Sequence, residues 1–455
     1  MAAASLPPGP RLPRYLQTAL LILRPDATLR RWQARYGNVF TVRSALSGRL
    51  VLVADPAAIK DVFTGPPGEL RAGEANAVLA PVLGERSVLL LDGAEHLRQR
   101  RLLLPPFHGE RMRAYEAIMR QAADRDIDSW PVGRSFALLP HMQAITLDVI
   151  VRAVFGVKDA ARADELKARM RLMLEPTTSP VRLLVIAITG GVLGLQGADR
   201  RFTARIRAVD ELLYDVIARR RAEPDLAERE DICSMLLTAR DESGEPMTDR
   251  EVRDELMTLL VAGHETTATS LAWAFERLLR TPGARAELER SLGDGDDSYL
   301  DAVVKETLRL RPVIPNVARV MHAERRIGAW ALPAGVTVAP SITLTHRRAD
   351  LYPEPRAFRP ERFLGPSAPD TYTWLPFGGG PRRCIGAAFA QFEMRTVIRA
   401  VLARTRLEAV GGGESAKRNG VTLVPARGAR AIQRTAPRPA AAVRLQFSRP
   451  EEVPN

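Results

Sequence analysis

Apolar residues recur every three or four positions over most of this chain, so helices dominate its expected elements. From Gly109 to Arg221 the pattern predicts one helix after another, interrupted at Pro176 to Pro180 and by an almost wholly apolar run, Leu183 to Leu195. That run is too short to span a membrane, which leaves an ordinary core helix or a lid over an apolar ligand as its readings. The longest helix opens at Thr248-Asp249-Arg250-Glu251, a capping box with a hydroxyl at the cap and a carboxylate three residues on. Val252, Leu256, Leu259, Leu260, Leu271, Phe275, Leu278 and Leu279 keep the helical spacing until Thr281-Pro282-Gly283 stops it. At 1.5 Å per residue such a helix runs about 50 Å.

Alternation with period two is rarer. Asn38 to Arg43 and Arg49 to Ala54, with Ser47-Gly48 between them, predict a β-hairpin, and Leu332 to Val338 predicts a turn and strand. A stiff proline-rich leader, Leu6 to Pro13, and a helix from Asp26 to Tyr36 capped by Gly37 come before the hairpin. Residues 72 to 91 are apolar with little periodicity and read as a loop. Further on, a proline-rich meander from Tyr352 to Phe363 leads to a helical run, Ala387 to Leu402, and residues 434 to 455 read as a loosely ordered tail. The fold class that follows is mainly α, with a small β-rich N-terminal and side region.

Composition narrows the setting. Only Cys233 and Cys384 are present, which excludes a disulfide framework and points to a reducing compartment, so a cytoplasmic protein is expected. The net charge is +13, yet just five of the 66 basic residues are lysine. The arginines are dispersed among carboxylates with no basic run interleaved with aromatics, so nucleic-acid binding is not expected. The longest apolar run near the start, Ala19 to Leu23, is far short of the roughly 20 residues a membrane helix needs, so no membrane span is expected.

Four clusters carry chemistry. Phe377-Gly378-Gly379-Gly380-Pro381-Arg382-Arg383-Cys384-Ile385-Gly386 places a thiol at the start of a helix, where free N–H groups favour thiolate. Its glycines would let a flat cofactor approach the backbone, and its arginines could hold anionic groups on that cofactor. The alternative is an inert cysteine beside a surface turn. His96 and Arg100 project from one helical face and either bind two carboxylates or form a solvated face. Ala262-Gly263-His264-Glu265-Thr266-Thr267 places glycine, acid and hydroxyls in the middle of a core helix. That suggests either an opened groove that relays protons or a kinked structural helix. Glu306 and Arg309 stand three apart on another helix, an arrangement common at surfaces.

Together these clusters, with the Pro360-Glu361-Arg362-Phe363 meander, occur in the order and spacing of the cytochrome P450 superfamily. The resemblance covers roughly residues 6 to 433 and implies a single P450 domain over 1–433, with residues 1–14 as its leader. It implies a haem b sandwiched between the long distal helix and the helix after the cysteine loop. Cys384 would be the axial iron ligand, and Phe377 and Gly386 would shield its sulfur. His96, Arg100, Arg382 and, more faintly, Arg319 would hold the haem propionates. Glu306, Arg309 and Arg362 would form a buried ion network. Glu265 and Thr266 would serve as an acid–alcohol pair that delivers protons to bound oxygen, with Gly263 opening the helix beside them. Many relatives carry aspartate where Glu265 stands and tryptophan where His96 stands.

The activity implied is that of a soluble, monomeric monooxygenase using O2, with NAD(P)H acting indirectly through a reductase and a ferredoxin or flavodoxin. Residues 72 to 91, 172 to 195, 256 to 269 and 313 to 317 would contact the substrate. They are mainly aliphatic, which fits a fatty acid, terpene, steroid or polyketide. An acidic redox protein would dock near Arg382 and Arg383. A peroxygenase or isomerase of the same fold is the alternative. A haem-thiolate sensor is a further one, although the chain carries no signalling motif for it.

Overall fold

The computed structural model describes residues 6–45, 48–107, 111–157, 159–174, 199–366 and 368–440. Thirteen helices of seven or more residues carry most of it: α1 Arg14–Leu23, α2 Pro25–Tyr36, α3 Pro56–Thr64, α4 Gly93–Leu103, α5 Arg111–Ile127, α6 Leu138–Val149 and α7 Ala160–Leu174. The series continues with α8 Asp199–Ala222, α9 Ile232–Thr238, α10 Asp249–Leu278, α11 Pro282–Gly293, α12 Ser298–Leu310 and α13 Ala387–Arg404. The apolar run 183–195, most of the interval 172–195 and residues 441–455 of the expected tail lie outside the described residues. Residues 434–440 are described, and the Arg434 and Arg438 N–H groups donate to the carbonyls of Arg406 and Arg404.

The expected hairpin forms as β1, Val39–Ser44, and β2, Gly48–Val53, with Phe40 opposite Leu52. It is two strands of a larger sheet. Reading across, that sheet runs β1, β2, β8 (Thr337–Pro340), β5 (Arg319–Met321) and β3 (Leu70–Arg71), with only the β2–β8 pair parallel. Away from it lie β4 (Ser135–Ala137) with β9 (Leu407–Ala409) and β12 (Arg430–Gln433), and the hairpins β6–β7 (Arg325–Ile327, Trp330–Leu332) and β10–β11 (Ala416–Asn419, Thr422–Pro425).

α10 crosses the helical core and packs against α6, α8, α12 and α13. Its capping box forms as expected: Thr248 Oγ1 accepts from the Glu251 N–H, and the Glu251 carboxylate accepts from the Thr248 N–H at 2.7 Å. The helix spans 30 residues and ends at Leu278, three residues before the expected stop. There the Arg280 and Thr281 N–H groups tighten to i→i−3 bonds, and Pro282 already opens α11. The region 72–91, expected as a loop, contains short helical turns at Ala72–Ala75, Ala77–Leu79 and Ala80–Leu83. The Asp92 carboxylate accepts the Gly73 and Glu74 N–H groups, which caps the first of them from a distance that sequence periodicity does not reach.

Candidate active site

Mid-way along α10 the buried pattern breaks. Ala262 is exposed and Gly263, Glu265 and Thr266 are partly so, although residues 267–275 beyond them are all buried. The helix therefore opens onto interior space. Thr266 Oγ1 donates to the Ala262 carbonyl at 2.5 Å and Ser270 Oγ to the Thr266 carbonyl at 2.8 Å, back-bonds of the kind that bend a helix. A Cβ on Gly263 would meet only Ile150 Cδ1 at 3.5 Å, an ordinary contact, so protein packing does not by itself require glycine here.

Among the described residues Glu265 has no cation beside it. Gln143 Nε2 of α6 donates to its Oε2 at 2.7 Å, and Asn419 Nδ2, at the tip of the β10–β11 hairpin, donates to Oε1 at 3.2 Å. Thr269 Oγ1 adds a bond at 3.4 Å. Burial outweighs these three donors and holds the carboxyl above its ordinary range. Next to it, His264 Nδ1 lies 2.8 Å from Thr146 Oγ1 of α6, and burial pushes the imidazole down to about 4. Sequence reading missed Gln143, Thr146 and Asn419. The available signals were two polar residues three apart, on one face of a helix, and an Asn-Gly turn in the hairpin.

Cys384 sits two residues before Gly386, the cap of α13. Its accessible area is large, yet protein surrounds it so fully that burial pushes the thiol above its ordinary range. Both hold because the sulfur faces an interior cleft and not the outer surface. The Gly386 N–H, Arg100 and Arg383 favour the anion, but desolvation outweighs them. Two of the loop's glycines also have a packing reason. A Cβ on Gly379 would lie 2.3 Å from the Phe63 ring and one on Gly380 2.0 Å from the Phe63 carbonyl, so close packing on α3 requires them. Gly380 also takes φ +64°. Phe377 packs edge-on against Trp374 with centroids 5.9 Å apart.

His96 is buried, which removes the solvated-face reading of its helix. Burial and the charges of Arg382, Arg100 and Arg319 push its imidazole down to about 3. The four basic side chains thus converge. Arg319 is itself lowered to about 10, by burial and then by Arg382. Asp92 is the carboxylate that faces them, paired to Arg382, whose guanidinium also donates to the Val88 and Leu91 carbonyls. Arg100 donates to the Arg383 carbonyl at 2.7 Å, and Arg383 itself is exposed.

Glu306 and Arg309 are both fully buried, so the surface-pair reading fails. Arg309 meets Glu306 through two bonds, at 2.6 and 2.8 Å, and Arg362 Nε stands 3.5 Å from the same carboxylate. The Arg359 N–H donates to it at 2.8 Å. Arg309 also donates to the carbonyls of His346, Pro355 and Ala357. His346, another residue that sequence reading missed, bridges this network to the cysteine loop. Its Nδ1 meets the Arg309 carbonyl at 3.0 Å and its Nε2 accepts the Leu375 N–H at 2.8 Å.

The family model for cytochrome P450 matches residues 7–428 of this chain. The chain belongs to the cytochrome P450 family. It is 46% identical over 436 residues to cytochrome P450 135B1 of Mycobacterium tuberculosis, covering 94% of this chain and 91% of that protein. Cytochrome P450 135A1 of the same species is 41% identical, with 93% and 94% covered. Among solved structures, retinoic acid bound cyanobacterial CYP120A1 superposes with a TM-score of 0.80 at 24% identity, over 94% of this chain and 99% of that one, a likeness of fold. Membership implies a haem-thiolate monooxygenase that uses O2.

The residues of this P450 fit a haem. An orphaned polar atom, His96 Nδ1, is buried among three arginines that have one facing carboxylate among the described residues, a donor set to which two propionates would supply anions. No helix among the described residues is long and apolar enough to cross a membrane.

Proposed function

We propose that this P450 inserts one atom of O2 into an apolar organic substrate, a fatty acid, terpene, steroid or polyketide. Its electrons come from NAD(P)H through an external reductase and a ferredoxin or flavodoxin. The observation that carries this reading is the Glu265–Thr266 pair, an acid held by neutral donors beside a hydroxyl where the core helix opens. A thiolate-ligated haem supplies oxygen activation when bound.

The chain's own residues do the rest. Cys384 provides the sulfur, and the Gly386 N–H bonds to it and favours its anionic form. Phe377 and Gly386 shield that sulfur. His96, Arg100, Arg319 and Arg382 hold the propionates, with Arg382 anchored by Asp92. Glu265, held above its ordinary range, keeps a proton available nearer neutrality and passes it through water toward the Thr266 hydroxyl. Gly263 keeps the helix open beside them. Glu306, Arg309 and Arg362 brace the meander that carries the loop, and His346 transmits that bracing. The substrate is enclosed by residues 72–91, 256–269 and 313–317, whose side chains are mainly aliphatic. An acidic donor docks at the exposed Arg383, so its binding weakens as salt rises.

The test is the reduced carbon monoxide spectrum followed by turnover. A thiolate-type red-shifted Soret band, with product formed from O2 and a ferredoxin–reductase pair, is the expected result. Absence of the band sinks the haem assignment. Product from peroxide but never from the ferredoxin system points instead to a peroxygenase.

A further inference from the structure

The N-terminal helix buries polar side chains beside apolar ones and leaves part of its apolar surface outside. In α1 the buried positions include Gln17, fully buried, and Thr18 at 3% exposure. The Gln17 amide donates to the carbonyls of Pro10 and Leu12 and accepts the Arg43 N–H at 2.9 Å. Thr18 Oγ1 donates to the Arg14 carbonyl and accepts the Ala45 N–H at 2.8 Å. These bonds set the rotation of the helix: Ile22 is buried and Leu20 and Leu21 pack on the core, while a second apolar stripe faces outward. Leu12, Tyr15, Leu16 and Leu23 are 38%, 43%, 46% and 63% exposed. Four of the nine large hydrophobic residues exposed among the described residues thus fall within one twelve-residue stretch, too concentrated for the scattered apolar residues of an ordinary surface.

Charge surrounds this stripe. The first 54 residues contain eight arginines and one acid, Asp26, which is committed to Arg30 and Arg347. Arg11, Arg14 and Arg24 are exposed at the two ends of α1. α1 packs on β1, where Arg43 stands directly opposite Arg49 of β2, both exposed. Like charges facing each other across a hairpin are unfavourable unless an anion lies near.

We propose that this face seats the protein on an anionic lipid bilayer, α1 lying in the interface with its apolar stripe among the acyl chains and its arginines on the headgroups. The shape favours a bilayer over a protein. The apolar side chains project from a convex helix, and the positive charge spreads over both of its ends and the hairpin, as suits a plane of phosphates. A second copy is disfavoured because apposing two such faces brings the arginines together.

Flotation of the full-length holoenzyme with vesicles tests this. The expected result is binding to phosphatidylcholine vesicles containing one third phosphatidylglycerol. Binding falls about tenfold with phosphatidylcholine alone or in about 0.5 M salt. Leu16→Ser/Leu23→Ser lowers binding at least about tenfold while the reduced carbon monoxide spectrum stays unchanged, because both positions are exposed. Arg11→Gln/Arg14→Gln/Arg24→Gln lowers binding through charge alone, and a Tyr15→Trp reporter is quenched by brominated lipid. The proposal is overturned if the parent ignores anionic vesicles, or if the double serine variant binds as the parent does. It is equally overturned if loss of Leu16 and Leu23 abolishes self-association, or capture of an acidic protein, in the absence of any vesicle binding.

Discussion

Replacing Glu306 by glutamine tests whether the buried network braces this fold. The substitution keeps the shape of the side chain and one acceptor oxygen but removes its charge. Arg309, fully buried, then retains its three backbone carbonyls and loses its counter-ion. Breaking a buried pair from one side costs about 3–5 kcal/mol, because the remaining charge has no route back to water. Arg362 and the Arg359 N–H share the same carboxylate, so both lose part of their pairing and the effect belongs at the upper end of that range. A loss of this size is a large share of the roughly 5–15 kcal/mol that stabilises a folded protein. Denaturant unfolding of the holoenzyme, followed by tryptophan fluorescence and Soret absorbance together, reads it out. Arg290→Gln, which removes ion pairs to Glu287 and Asp294 at the surface, serves as the control and leaves the midpoint unmoved. A Glu306→Gln variant that unfolds within about 1 kcal/mol of the parent would refute the reasoning, since a buried, shared carboxylate would then count for no more than an exposed ion pair.

Gln143→Leu removes the shortest bond to the Glu265 carboxylate, so its ionisation moves further up and the alkaline limb of the pH–turnover profile follows it. Product formed per NAD(P)H consumed, measured across pH, checks this, and an unmoved profile counts against a proton-handling role. Glu255 is pushed by burial to about 8 from an ordinary 4.5, so the folded state holds its proton more tightly than the unfolded chain does. Its contribution is fully present below pH 4.5 and is lost as pH rises through about 8, so Glu255→Gln flattens that decline in a pH series of unfolding midpoints. Gly380→Ala drives a Cβ to within 2.0 Å of the Phe63 carbonyl at a positive φ and lowers haem occupancy, read as the ratio of Soret to protein absorbance. Gly283→Ala, exposed at the start of α11 with open space around its Cβ, retains haem.

Local patterns in this chain determined what local physics controls. The helical periods, the Thr248–Glu251 capping box, the first hairpin and the order of the cysteine loop, the mid-helix acid–alcohol pair and the Glu306–Arg309 pair all lie within a few residues, where hydrogen bonding and side-chain spacing act directly. Tertiary structure decided what those residues face. Arg382 is tied to Asp92 across 290 positions, and Glu265 is held by Gln143 and Asn419 from 122 and 154 positions away. Gly379 and Gly380 pack against Phe63 of a helix more than 300 positions earlier. The Cys384 thiol is raised because desolvation, a sum over every neighbour, exceeds the pull of one helix end. α1 turns Leu16 and Leu23 outward because Gln17 and Thr18 find partners at the end of β1 that periodicity within the helix does not register. Helical and strand periods are properties of neighbouring residues, whereas burial and charge pairing depend on which distant segments the fold brings together.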